Sequence, residues 1–297
     1  MMRFWLSLMA IDDLTQLPEI ARSAEQAGFH GVTFADHLLM PTKIASKYPY
    51  TEDGEMFWPL TTPWPDPWIA LAVMGSATTR LHLATNIYLA ALRDPFTAAK
   101  SVATTIAICG DRVACGVSAG WIKEEYDQVG IEFASRGRRL DETIKAMRAL
   151  WTGEEVRHTG EFFNFEAIMR PAPASAPPVW VGGASKAALR RAAENDGWLG
   201  LPMNADQNIA ILDAIAAQRG ARGLKDFTAL IALGEPLTLA AHDKLAARGI
   251  GDMSAMPFFP NPWDATPYVD AGADWRELDV KRKAILRYGE SVIAKFA

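Results

Sequence analysis

The feature that most constrains this fold is a strict alternation of short β-type runs with longer amphipathic helical patterns. Strand patterns occupy residues 4–9, 31–35, 81–88, 113–117, 179–181, 198–201, 227–233 and 252–256. Helical patterns occupy residues 14–27, 67–77, 95–108, 138–150, 186–195, 207–219, 239–247 and 275–296. Alternation of this kind indicates parallel strands joined by crossover helices. A count of eight such units predicts an α/β fold of the closed (β/α)8 TIM-barrel type, rather than an open doubly wound sheet.

The length and composition fit one such barrel. The chain has 297 residues, a formal net charge of -5 and two cysteines, Cys109 and Cys115. One barrel needs about 250 residues, so residues 1–297 are predicted to form a single domain. Two cysteines in apolar surroundings are typical of reduced thiols, which favours a cytoplasmic protein. The absence of long apolar runs and of Lys/Arg clusters argues against membrane and nucleic-acid partners.

Two long insertions interrupt the alternation. The first, after the second strand, spans residues 36–66, and its many prolines and aromatic residues are typical of a binding loop rather than of a disordered one. The second, before the fifth barrel strand, carries a hairpin pattern with strands at 156–158 and 162–165. A shorter cluster of proline and aromatic residues follows the eighth strand. Trp58 and Trp64 of the first insertion, together with Trp263 of the last cluster, are predicted to cover an apolar pocket.

The candidate chemistry lies where strands end, because (β/α)8 barrels carry their active sites at the carboxyl ends of the strands. His37 follows the second strand, and a histidine can exchange a proton near neutral pH. We therefore predict a functional role for His37, with Asp36 either fixing its tautomer or holding the loop. A structural role, in which His37 caps the strand, is the alternative. The other four histidines are predicted to be structural or exposed.

The segment from Gly182 to Ser185 connects the fifth barrel strand to a helix. Glycines let the backbone approach a ligand, and the free N–H groups at a helix start attract anions, so this junction is a candidate phosphate site. It matches neither a dinucleotide-binding fingerprint nor a P-loop. No metal-ligand spacing is present, so no metal site is predicted. Residues 116–120 match the letters of a nucleophile elbow, but the barrel pattern argues against a hydrolase.

Several motifs occur together in a characteristic order. The most specific runs from Gly110 to Trp121 and continues to Glu124 and Glu125, and others lie at 27–38, 77–81, 136–142, 150–153, 160–163 and 178–185. Their order and spacing resemble the bacterial luciferase-like superfamily of flavin- and deazaflavin-dependent oxidoreductases. The resemblance covers most of residues 3–202. Within that superfamily, segments 48–54 and 62–67 are similar to a subgroup that depends on coenzyme F420.

The resemblance implies a redox ring lying across the top of the barrel and a set of residues around it. Asp36, His37, Asn86 and Ile87 would border the ring, and Asn86–Ile87 is the candidate for the family's non-proline cis peptide. Ser118, Gly120 and Glu124 would line the next wall. Gly182, Gly183, Ala184 and Ser185 would receive the phosphate tail of the cofactor.

One departure from the family pattern bears on the substrate. Trp121 stands where the family's sugar-phosphate dehydrogenases carry a catalytic acid, and an indole cannot donate a proton in that way. Oxidation of alcohols or sugar phosphates is therefore disfavoured, and Trp121 would instead stack against the ring or an apolar substrate. Few cations other than Lys186, Arg190 and Arg191 accompany the candidate tail site, so FMN stays open beside the favoured coenzyme F420.

The sequence thus predicts an oxidoreductase that uses coenzyme F420 or a flavin on a small, largely apolar organic substrate, with His37 as proton donor or hydrogen-bond partner. One alternative is an FMN-dependent monooxygenase, which needs oxygen and a flavin reductase as partner. A second alternative is a flavin-binding barrel without catalytic activity. The family resemblance also implies a homodimer.

Overall fold

Eight parallel strands close into a barrel in the computed structural model, which describes residues 2–260 and 268–297. The barrel strands are β1 (Arg3–Leu8), β2 (Gly31–Phe34), β3 (His82–Thr85), β4 (Val113–Val117), β7 (Val179–Gly182), β8 (Gly197–Met203), β9 (Thr228–Leu233) and β10 (Asp252–Ala255). The strands β5 (Val156–Thr159) and β6 (Asn164–Ala167) form a separate antiparallel pair. Around the barrel the order is β1, β2, β3, β4, β7, β8, β9 and β10, and β10 pairs back onto β1. The predicted (β/α)8 TIM barrel is confirmed.

The helices surround the barrel and follow the strands in the expected order. They are α1 (Leu17–Gln26), α2 (Pro67–Ser76), α3 (Pro95–Cys109), α4 (Lys123–Gln128), α5 (Arg136–Trp151), α6 (Lys186–Glu194), α7 (Ala205–Arg219), α8 (Leu239–Ala247) and α9 (Leu278–Tyr288). Among the helices described, none combines the length and the apolar character needed to cross a membrane. All eight predicted helices lie within a few residues of their predicted bounds. The last one departs from α-helical geometry after Tyr288, where Gly289–Ile293 form a π-helical segment, and it ends at Phe296.

The structure differs from the sequence prediction at β3, which ends at Thr85 rather than at residue 88, in the second insertion and after β4. The hairpin β5–β6 is present, but its second strand begins at Asn164 rather than at residue 162. The reason is the turn, which Gly160 closes by donating its backbone N–H to the carbonyl oxygen of Phe163 at 3.0 Å. Helix α4 was not predicted, because its six residues are too few to display helical periodicity.

Two aspartate–proline pairs fix where helices begin at the carboxyl end of the barrel. Asp66 accepts hydrogen bonds from the backbone N–H groups of Trp68 and Ile69 at 2.9 and 3.0 Å. Asp94 accepts one from Thr97 at 2.8 Å. A proline follows each aspartate at the first helical position, where its missing N–H costs nothing. The first insertion therefore ends at a capped helix start.

The barrel interior is filled by two large rings that neighbouring small residues accommodate. Trp5 and Trp180 meet at nearly right angles, with ring centroids 5.4 Å apart. A Cβ atom on Gly31 would lie 2.4 Å from the Trp5 ring, and one on Gly197 would lie 2.4 Å from the Trp180 ring. Large and small residues thus alternate so that the interior is packed rather than hollow.

Gly116 in β4 tests this packing. A Cβ atom there would lie 1.9 Å from the carbonyl oxygen of Thr85 and 2.6 Å from Leu199 Cδ1, and the backbone oxygen has no room to move. We expect Gly116→Ala to lower the free energy of unfolding by roughly 3 kcal/mol, measured by urea denaturation. The control is Gly137→Ala in α5, where the nearest atom would be 3.4 Å away and stability should stay equal or rise. Equal urea midpoints for the two variants would contradict the packing described.

Candidate active site

The site is centred on His37, just beyond the end of β2. Its ring is buried, and Nδ1 lies 3.1 Å from Oε2 of Glu125 in α4. A carboxylate only accepts hydrogen bonds, so Nδ1 carries the proton and donates it to Glu125. That leaves Nε2 as the nitrogen that can exchange a proton with a ligand, and it makes no hydrogen bond to any residue in the described ranges.

Glu125 is itself almost fully enclosed, with 1 % of its surface exposed. Besides His37, it holds the first residues of the insertion: its Oε1 accepts hydrogen bonds from the backbone N–H groups of Leu38 at 2.6 Å and Leu39 at 3.3 Å. Glu125 belongs to the sequence motif that begins at Gly110, but the motif predicts no role for it. Its contact with His37 spans 88 positions in the chain, so no local pattern reveals it.

Asp36 has a different set of partners. Its carboxylate accepts hydrogen bonds from Arg93 at 2.8 and 3.0 Å and from the backbone N–H of Leu89 at 2.9 Å. Burial raises the pKa of Asp36, although the charge and hydrogen bonds of Arg93 act against that shift. Asp36 thus ties the end of β2 to the segment after β3. The suggestion that Asp36 fixes the tautomer of His37 is wrong, because Glu125 does so.

Glu124 also holds the insertion. It accepts hydrogen bonds from the backbone N–H groups of Ala45 at 2.8 Å and Ser46 at 3.2 Å, and from Ser46 Oγ at 2.7 Å. Burial acts to raise the pKa of Glu124, but these hydrogen bonds hold it below its usual range. The two successive glutamates of α4 therefore fix the insertion at its beginning and at its middle. A cofactor contact by Glu124 or Asp36 stays a prediction.

An aromatic cluster, formed by Tyr48, Phe57, Trp58, Trp64 and Trp121, surrounds the ring of His37. The centroid of the His37 ring lies 4.7 Å from that of Trp64 and 6.3 Å from those of Trp58 and Trp121. Tyr48 closes the cluster by contacting both Trp58 and Trp121. Three of the four tryptophans predicted to line the pocket are thus brought together, and Trp263 lies outside the described residues.

The ends of the next strands form a second group of predicted residues. The peptide bond between Asn86 and Ile87 is cis, as the resemblance implies. A Cβ atom on Gly182 would lie 2.9 Å from Ile87 Cγ2 and 3.6 Å from Ser118 Cβ, so Ile87, Ser118 and Gly182 meet at one place, named here the strand-end floor. Gly120 adopts a φ of 70°, and a Cβ there would approach Leu89 and Tyr126 instead.

The predicted strand–glycine–helix junction is present after β7. Gly183 adopts a φ of 105°, and Ser185 caps α6 by accepting a hydrogen bond from the backbone N–H of Ala188 at 3.2 Å. Ala184 lies between them and is partly exposed. The nearby arginines are already engaged, since Arg190 and Arg191 both bind Asp141. An anion at this helix start would depend on backbone N–H groups and on Lys186, the first residue of α6.

Within the described parts of the chain, no three His, Cys, Asp or Glu side chains converge to hold a metal ion.

A family model described as luciferase-like monooxygenase matches residues 2–283. The chain belongs to the luciferase-like monooxygenase family. The family predicted from the strand-end motifs is therefore confirmed.

Relatives within the luciferase-like family differ in what is known of them. An uncharacterised protein of Mycobacterium tuberculosis is 33% identical over 290 residues, which covers 96% of this chain and 97% of that protein. The F420-dependent hydroxymycolic acid dehydrogenase of M. tuberculosis is 30% identical over 234 residues, which covers 77% of this chain and 60% of that enzyme. The crystal structure of the monooxygenase RslO1 from Streptomyces bottropensis matches the fold with a TM-score of 0.73 at 17% identity, over 100% of both chains.

The role of Glu125 can be tested by comparing it with its neighbour. Glu125→Gln replaces the charged acceptor of the His37 Nδ1–H by a neutral amide, so we expect the Nδ1–H resonance to exchange faster with water and to lose its downfield shift. The measurement is ¹⁵N-filtered proton NMR of protein with ¹⁵N-labelled histidine. Glu124→Gln should leave that resonance unchanged. An unchanged His37 signal in Glu125→Gln would show that another group orients the ring.

Proposed function

We propose that the protein is an oxidoreductase that uses coenzyme F420 for hydride transfer to or from a small, largely apolar organic substrate. The observation that carries this proposal is the His37–Glu125 pair, which faces the aromatic cluster at the carboxyl end of the barrel. β2, β3, β4 and β7 are consecutive neighbours there, so His37 and the strand-end floor lie along one edge. The F420-dependent relative supports the choice of cofactor.

The residues present fit such a cofactor. A Cβ at Gly182 would clash with Ile87 Cγ2 at 2.9 Å, so the glycine lets the Ile87 side chain pack into the strand-end floor, and a flat ring would lie on that floor. The helix start at Ser185, preceded by Gly182, Gly183 and Ala184, would hold the phosphate of the tail. The bound deazaflavin would supply the hydride donor or acceptor, which no protein side chain provides.

The protein's own side chains would transfer the proton and exclude water from the site. His37 Nε2 would donate or accept the proton at the substrate, while Glu125 holds Nδ1–H and stabilises the charged imidazole when it forms. The aromatic cluster would exclude water from the reacting atoms. Trp121 offers no acid at its position, which is why we propose a largely apolar substrate and not a sugar phosphate.

FMN is the alternative cofactor, with a monooxygenase as the alternative enzyme and a flavin reductase as its partner. FMN is favoured by the salt bridges that Arg190 and Arg191 form with Asp141. These pairs leave fewer cations for the anionic polyglutamate tail of F420, whereas FMN carries only a phosphate. The description of the family model also agrees with a monooxygenase.

Titration with F420 and with FMN separates these two cofactors, and Ser185→Asp locates the phosphate. Aspartate caps helices as well as serine does, but its charge at the helix start repels a phosphate. We expect F420 to bind more tightly than FMN, and Ser185→Asp to raise the Kd of the bound cofactor about tenfold without changing the melting temperature.

The control is Ser185→Asn, which caps the helix without adding a charge. This variant should bind the cofactor as tightly as the wild type does. Tighter binding of FMN would replace F420 by FMN in the proposal. Binding of neither cofactor would refute the assignment, and an unaffected Kd in Ser185→Asp would place the phosphate elsewhere.

Turnover tests the role of His37. With reduced F420 and a panel of small α,β-unsaturated carbonyl compounds, we expect His37→Ala to lower the rate of absorbance increase at 420 nm at least about 100-fold. The Kd for F420 should change much less, because the ring contacts other residues as well. His242→Ala, whose ring hydrogen-bonds Asp243 away from the site, is the control. Full turnover and unchanged cofactor affinity in His37→Ala would rule out this role.

The expected homodimer stays a proposal. The outer faces of α2 and α3 carry exposed aliphatic side chains, namely Ile69, Val73 and Ile108, which support an apolar contact with a second copy of the chain.

A further inference from the structure

Two buried hydrogen-bond donors in the aromatic cluster have no acceptor. The Nε1 atoms of Trp58 and Trp64 are closed to solvent and find no hydrogen-bond partner among the described residues. Trp58 is 7 % exposed as a whole residue. Leaving a buried N–H unpaired costs about 1–3 kcal/mol, and native proteins pair nearly all such groups. A ligand that brings an acceptor would remove this cost.

The two donors are neighbours, and both lie beside His37. The ring centroids of Trp58 and Trp64 are 5.8 Å apart, and each ring contacts the His37 ring. Both unpaired indoles therefore lie against the ring of the candidate catalytic histidine, beyond β2. Because native proteins pair nearly all buried donors, two unpaired indoles beside one candidate catalytic residue indicate a site for a ligand with a hydrogen-bond acceptor.

Other tryptophans show that an unpaired indole alone is not the signal. Trp68 and Trp180 also lack an acceptor, but they lie in the helix layer and in the barrel interior. In contrast, Trp5, Trp151 and Trp198 donate to Asp252, Ala99 and Gly183. What distinguishes Trp58 and Trp64 is that two unpaired donors adjoin each other and the candidate catalytic histidine.

The charges around the cluster select the kind of acceptor. Glu125 is a carboxylate in direct contact with His37. Asp36, the residue before His37, is also negative, but Arg93 neutralises its charge in an ion pair. The negative charge of Glu125 would therefore repel an anionic ligand, but it would not repel a neutral oxygen acceptor. The walls around it are aromatic rings, which favour a flat, apolar body on the ligand.

We propose that Trp58, Trp64 and His37 form a subsite for the neutral carbonyl oxygen of a flat, apolar substrate. The two indole N–H groups donate to the oxygen, and His37 adds a donor when its Nε2 is protonated. This inference rests on the proposed oxidoreductase function, because it names the substrate class of that site. It concerns binding by the protein's own side chains and can be examined without cofactor.

The test compares two probes of nearly equal shape, acetophenone and α-methylstyrene, which differ in an oxygen atom replaced by CH2. The readout is the indole N–H resonances of protein labelled with ¹⁵N-tryptophan, assigned with the variants Trp58→Phe and Trp64→Phe. We expect acetophenone to move both resonances downfield and to bind at least about tenfold more tightly than α-methylstyrene, a difference of about 1.4 kcal/mol. Each Trp→Phe variant should lose most of that preference while still binding α-methylstyrene.

Phe57→Leu is the matched control, because it changes an aromatic wall of the same cluster without removing a donor; it should keep the preference for acetophenone. The proposed subsite would be overturned if the two probes bound equally tightly, if both probes shifted the indole N–H resonances equally, or if acetophenone did not bind. F420 is titrated separately. If F420 binds but the preference is missing, the subsite fails and the proposed function stands; if the preference is present but F420 does not bind, the proposed function fails and the subsite stands.

Discussion

The arrangement at the top of the barrel depends on one buried charge, the carboxylate of Glu125. A buried carboxylate is stable only when donors surround it, and here they come from a single stretch of chain: the ring of His37 and the backbone of Leu38 and Leu39. The same interaction therefore orients the imidazole and sets the direction in which the chain leaves β2. The candidate catalytic group and the insertion that covers it share this anchor.

The strand-end floor rests on the filled interior of the barrel. Ile87 packs against the buried group that contains Trp5, Trp180, Leu199 and Leu230. Because the two indoles occupy the space that glycines leave, the interior supports Ile87 from below rather than opening into a channel. A ring bound above Ile87 would thus lie on a closely packed surface, which resists displacement and keeps water out from that side.

Much of the fold follows from local patterns, whereas the connections within the site do not. The alternation of strand and helix patterns predicts the barrel, because each pattern can be recognised within its own segment. The pairs Asp66–Pro67 and Asp94–Pro95 also predict two helix starts from neighbouring residues. The glycines before Ser185 likewise mark a helix start. The His37–Glu125 contact depends on how β2 and α4 come together in space, and α4 is too short to show a period. The ion pair between Asp36 and Arg93 could not be predicted for the same reason, because charge pairing between distant segments leaves no pattern in the local sequence.

The glutamates of α4 hold the insertion mostly through its backbone: the N–H groups of Leu38, Leu39, Ala45 and Ser46 are their partners. Every residue except proline supplies such a group, so the anchoring places few demands on side chains. The insertion can therefore accumulate substitutions over evolution while its path above the barrel is preserved. A family built on this fold could in this way acquire new substrate preferences without rebuilding its catalytic centre.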